Sequence, residues 1–148
     1  MQQKPFVSPP PPPRPGAKPN AADPWYSISP QHDIWELLLN HDPSDNSEKS
    51  VLQFYSPGAS SMTQTSMTHP YIEEVIFLEG ALEDTTTRKT WGKGAYAYRN
   101  PGTRHGPYKA GREGCLQFVR IVPVEAAREM EWVGKMEELL HPESGVDS

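Results

Sequence analysis

The chain holds one cysteine, Cys115, among its 148 residues, so no internal disulfide can form and no cysteine-based metal cluster is available. Long apolar runs are equally absent, and nothing approaches the ~20 residues a membrane-spanning helix requires. Positive charge is scarce. The formal net charge is −5, and basic residues gather on no one segment, whereas neutralising nucleic-acid phosphates requires a concentrated basic surface. The N-terminus lacks the charged-then-apolar order of a secretory signal. These absences set the expectation of a soluble cytoplasmic protein with neither nucleic acid nor membrane as partner.

Proline, by contrast, is abundant and unevenly spread. Of 17 prolines, seven fall between Pro5 and Pro15. The run Ser8-Pro9-Pro10-Pro11-Pro12-Pro13-Arg14-Pro15 favours an extended polyproline II helix without internal hydrogen bonds. Residues 1–24 therefore read as a disordered Pro-rich arm. Their Pro-x-x-Pro-x-Arg pattern is of the kind SH3-type modules accept, which makes such a module a possible partner of the arm.

From residue 25 the pattern changes to short β-rich runs divided by turn clusters, as in small barrels and sandwiches. The runs are Ile34 to Leu39, Val51 to Tyr55, Tyr71 to Leu78, Ala95 to Arg99 and Cys115 to Val122, with weaker strands at Ala81–Asp84 and Arg88–Trp91. This barrel is expected over residues 25–123. Beyond it, Met130, Val133, Met136 and Leu140 recur at helical spacing. Glu131 and Lys135 stand four apart in the order that favours a helix. A short C-terminal helix and tail are expected over residues 124–148.

Two segments carry candidate chemistry. In Tyr71 to Leu78 side chains alternate between faces, so the preceding His69 shares a face with Glu73, Val75 and Phe77 if the strand is regular there. The opposite face, Ile72, Ile76 and Leu78, is apolar too, which predicts cover by a second sheet or a second subunit. The other segment runs from Gly94 through a strand to Asn100-Pro101-Gly102, a tight-turn signature, and returns with His105. The inward candidates Tyr55, Tyr98 and Gln117 are expected to line a substrate pocket, subject to strand direction, since a slip of one residue turns a whole set outward.

Together these segments resemble the two motifs of the cupin superfamily. His69, Glu73 and Gly80 match the first motif; Gly94, Pro101, Gly102 and His105 match the second. The resemblance covers about residues 34 to 122 and is similar to small single-domain cupins, including the cupin domain of some anti-sigma factors. It implies an all-β double-stranded β-helix, the jelly-roll cupin barrel. It also implies a divalent metal at the barrel mouth, held by His69, Glu73 and His105. Met67 stands where the family usually has the first histidine of its His-x-His pair, and Gln64 or a hydroxyl between Thr63 and Thr68 is a candidate for the vacant position. Two histidines and a carboxylate suit Fe, Mn, Ni or catalytic Zn.

Several functions follow from that resemblance. One is a metalloenzyme acting on a small organic molecule by oxygenase-like, lyase, decarboxylase or isomerase chemistry, with Glu73 and His105 catalytic. Another is a non-catalytic ligand or metal sensor, and a third is a metal-free pocket using His and Glu as acid and base. A scaffold recruited through the Pro-rich arm is a further reading. The two-sided apolar strand and the habits of small cupins imply a homodimer.

Overall fold

The computed structural model describes residues 1–44, 48–61 and 68–123. The expected C-terminal helix, and Thr63, Gln64 and Met67 with it, lie outside these residues. Among the described residues the regular structure is entirely β: β1 (Trp25–Ser27), β2 (Ile34–His41), β3 (Lys49–Tyr55), β4 (Ile72–Asp84), β5 (Lys89–Gly92), β6 (Tyr96–Arg99) and β7 (Tyr108–Val122). All pairings are antiparallel, in the order β1-β2-β3-β7-β4-β5, with β6 beside the first half of β4. No helix of the described residues is long and apolar enough to cross a membrane.

Two strands are longer than the hydrophobic pattern predicts. The run at Ala81–Asp84 is the second half of β4, and β7 begins at Tyr108 rather than Cys115. The expected run Tyr71 to Leu78 stops short of Gly80, yet β4 passes through it. Gly80 adopts φ +77° where the register with β7 shifts, which is a bulge that bends a strand without ending it. A Cβ at Gly80 would stand 2.0 Å from the Gly114 carbonyl oxygen, so only glycine lets the two backbones approach this closely. The bend carries both long strands from one part of the sheet into the other.

The curled sheet is apolar on both faces, and each face has its own cluster. Inside, Val51, Val75, Val119 and Ile121 form one buried group, and Ile34, Tyr55, Leu82 and Cys115 belong to another. Burial pushes the Cys115 thiol up to about 12, so it stays protonated and unreactive at neutral pH. On the outer face Trp25, Trp35, Leu37 and Leu52 are buried together. Burying side chains of this size contributes on the order of 2 kcal/mol each.

The Pro-rich arm helps cover that outer face. It carries no regular secondary structure, but it is not free of the barrel. Ala17 packs against the Trp25–Trp35 cluster, and the Trp25 indole N–H donates to the Pro10 carbonyl at 3.0 Å. The Gln2 backbone exchanges two hydrogen bonds with the Asn40 side chain, at 3.1 and 2.8 Å. Composition alone hid these anchors, because proline carbonyls keep full acceptor strength in a segment that lacks donors.

In the described part of the chain the outer face of β4 is covered at Ile72, which is buried with Val122, but not farther along. Ile76 is 39% and Leu78 36% exposed, beside the exposed Tyr96 and Tyr98 of β6.

Candidate functional site

The two motif segments meet at one end of the curled sheet. His69 precedes β4, and Glu73 lies on its second residue. His105 sits in the connection from β6 to β7. Asn100 to Thr103 forms the tight turn, closed by Thr103 N–H donating to the Asn100 carbonyl at 3.1 Å, with Gly102 at φ +82°. Positive φ at the third turn position is what glycine supplies. The Gly102 N–H then donates to the His69 carbonyl at 2.8 Å. That single bond ties the motifs together and returns the chain so that His105 faces His69.

The result is a compact donor cluster. One donor atom each from His69, Glu73 and His105 lie within 4.8 Å of one another. His69 Nε2 stands 3.7 Å from Glu73 Oε2, and the two imidazole rings are 4.8 Å apart. Tyr71 stacks on His69 at 4.7 Å with an 8° tilt, which fixes that ring's plane. The expected shared face of His69 and Glu73 is therefore present, although His69 itself lies outside β4.

Arg99 is the central residue that sequence reading missed. Its guanidinium donates to Glu73 Oε1 at 2.7 Å and to the Tyr108 hydroxyl at 2.8 Å. Both members of the ion pair are largely buried. A charge-assisted bond of this length orients the carboxylate and leaves Oε2 on the His69 side. The register gives the cause: Glu73 pairs with Arg99, and Val75 with Ala97, so the odd-numbered residues of β6 point inward. Tyr98 consequently points outward, is 47% exposed, and does not line the cavity. The expectation for Tyr98 is corrected by this one-residue parity. Alternation of Tyr96-Ala97-Tyr98-Arg99 was the available signal, but aromatic side chains were assigned to the interior.

Behind the cluster lies a cavity of about 240 Å³, just below the ~300 Å³ at which typical ligand pockets begin. Tyr55 and Gln117 line it as expected, along with Gln53, Glu36, Lys49 and Tyr108. Lys49 Nζ is 3.2 Å from Glu36 Oε1. The interior thus holds two ion pairs and several hydrogen-bonding groups on an apolar base. Burial, reinforced by the nearby Glu73 charge, pushes the Tyr55 phenol well above its ordinary range, so Tyr55 remains a neutral donor. The Gln117 side-chain nitrogen is buried without a hydrogen-bond partner among the described residues.

His105 is the most informative residue of the cluster. Both of its ring nitrogens are buried, and neither has a hydrogen-bond partner among the described residues. Burial, with the Arg99 and His69 charges behind it, lowers its pKa to about 4. The imidazole is therefore neutral at pH 7, the form that binds metals. Buried polar atoms are ordinarily satisfied. A neutral imidazole with free nitrogens, beside a second imidazole and an oriented carboxylate, fits a divalent cation as its missing partner.

An antiparallel β-barrel whose mouth gathers His, Glu and His from these two motifs defines a cupin. The family is shown directly: the ChrR cupin-like domain model matches residues 18–125, and the chain belongs to that family. Solved structures agree on the fold. An RmlC-like cupin from Ralstonia eutropha is 20% identical, with 72% of this chain and 68% of that one covered and a TM-score of 0.55. An RmlC-like cupin from Shewanella frigidimarina is 17% identical over 67% and 82% of the two chains, TM-score 0.52. An acetylacetone dioxygenase from Acinetobacter johnsonii is 15% identical over 80% of each chain, TM-score 0.51. At these identities the likeness concerns the fold. No curated protein matches the sequence.

Proposed function

We propose that this chain is a metal-dependent cupin enzyme of a small organic molecule, with His69, Glu73 and His105 as metal ligands. The observation that carries the proposal is His105: two buried ring nitrogens, unpartnered among the described residues, within reach of His69 and Glu73 at the entrance of a cavity. A bound divalent ion would supply Lewis acidity there, and an iron would add oxygenase-type redox chemistry. The likeness to a dioxygenase concerns fold and does not select the reaction, which leaves lyase, decarboxylase and isomerase chemistry beside oxygenation.

The chain's own residues have definable parts in such a site. Arg99 is a positioning residue, holding the Glu73 carboxylate by one oxygen so that the other faces the imidazoles. Tyr55, kept neutral, and Gln117, whose side-chain nitrogen has no partner among the described residues, offer donors to a substrate oxygen inside the cavity. Phe77 and Ile121 line the same space and exclude water from it. A compact, oxygen-bearing molecule suits this mixture of apolar wall and fixed donors.

The test is elemental analysis of the purified protein beside the His69→Ala, His105→Ala double variant. Near-stoichiometric Fe, Mn, Ni or Zn that vanishes in the variant supports the reading, and the element narrows the reaction class. Absence of metal, with none taken up from each ion in turn, would refute it. Glu73 and His105 would then be left as acid–base groups of a metal-free pocket.

A further inference from the structure

The outer face of β1 and β2 has a use the proposed reaction does not absorb. Trp25 lies on the edge strand of the sheet, yet it is only 1% exposed. An edge tryptophan is buried to that degree only if something off the sheet lies over it. Pro10, itself exposed, provides the visible contact through its carbonyl on the indole N–H, and Pro12 and Pro13 are half-buried while Pro9, Pro11, Arg14 and Pro15 are exposed. The run is thus shielded along part of its length and open along the rest. A side-chain N–H that reads a carbonyl no internal bond occupies is part of the chemistry by which aromatic-lined grooves recognise polyproline segments.

The run is tethered rather than woven into the sheet. Towards the barrel, residues 18–24 are exposed, and the Arg14 carbonyl accepts from the Ala17 N–H at 3.0 Å to turn the chain. Towards the terminus, the amide exchange with Asn40 holds Gln2. Neither anchor requires that the proline run on Trp25 come from the same chain.

We propose that the Trp25–Trp35–Leu37 face is a polyproline II binding groove, whose resident ligand is the chain's own residues 8–15 and which accepts other proline-rich segments when that arm is displaced. Tethering gives the resident segment an effective concentration on the order of millimolar. The arm therefore acts as an intramolecular competitor, and the groove opens only when the arm is drawn away.

The experiment uses a fluorescently labelled peptide copying residues 5–15 and full-length protein, with anisotropy as the readout. In one full-length variant Pro9, Pro10, Pro11, Pro12 and Pro13 are each replaced by glycine, which removes the preformed helix without shortening the chain. That variant is expected to bind the peptide saturably, and wild type at least about tenfold more weakly. Adding Trp25→Phe to the glycine variant keeps an aromatic side chain but loses the indole N–H and part of the ring area, for an expected five- to tenfold loss. Should the fivefold variant not fold, the combined Pro10→Gly, Pro12→Gly and Pro13→Gly variant gives the same comparison with fewer changes. Equal binding by wild type and variant, no binding up to about 1 mM, or indifference to Trp25→Phe would each overturn the proposal.

Discussion

Replacing Arg99 with methionine tests the electrostatic design of the site. The guanidinium is the closest cation to Glu73, at 2.7 Å, and the carboxylate is 9% exposed. Removing one partner of a buried pair leaves an uncompensated charge and typically costs about 3–5 kcal/mol. Glu73 keeps some solvent contact at the cavity mouth, so we expect about 2–4 kcal/mol in the metal-free protein. For a domain of this size that corresponds to a fall in Tm of roughly 10–25 °C. A cation bound at Glu73 would replace the missing charge, so part of the loss should return on adding metal. Stabilisation by a ligand at a hundred times its Kd is about 2.7 kcal/mol. Urea denaturation of wild type, Arg99→Met, Glu73→Gln and the double variant, each with and without metal, gives the complete cycle. The double variant should be less damaged than the sum of the singles by at least about 1 kcal/mol. Single-variant losses that add within ~0.5 kcal/mol would refute the coupling, and an Arg99→Met loss below 1 kcal/mol would refute the buried-pair argument altogether.

Further outcomes follow from the same structure. Gly80→Ala should destabilise by at least about 2–4 kcal/mol in thermal denaturation, because φ +77° strains any other residue and its Cβ meets the Gly114 backbone. Gln117→Met removes a buried nitrogen that lacks a partner among the described residues; stability by urea titration should be unchanged or raised by up to about 1 kcal/mol, while substrate affinity falls. The metal-free protein should weaken in acid through His105. Its pKa is lowered to about 4 in the folded state against ~6.5 unfolded, so between these values only the unfolded chain takes up the proton. The stabilisation is complete above about pH 6.5 and fades as pH falls to about 4. Allowing for the ring's partial solvent contact, it amounts to roughly 1–2 kcal/mol. Denaturation midpoints of wild type and His105→Gln across pH 4–7 measure it, and identical slopes would contradict the assignment.

Much was legible before the fold was known, and for local reasons. Alternation in Tyr71 to Leu78 and the Pro101-Gly102 turn are short-range signals, since side-chain parity and turn dihedrals depend on neighbours in sequence. They put His69 on the face of Glu73 and returned the chain at His105, and the resemblance to the two cupin motifs joined the three as one group; His69 and Glu73 do meet at 3.7 Å. What sequence could not supply was register. Whether Tyr98 or Arg99 enters the cavity depends on β6 pairing Glu73 with Arg99, a contact between strands 26 residues apart. The run from Tyr71 read as ending at Leu78, before Gly80; only the approach of Gly80 to Gly114 reveals a bend inside one longer strand. The Pro-rich run read as a solvated arm because its composition carries no core, and the acceptor that holds it is a backbone carbonyl, identical at every position of any sequence. The residue types of the site and its Pro101-Gly102 turn were thus set by the sequence itself. Which charge faces Glu73, and where the arm lies, were decided by long-range strand pairing and packing.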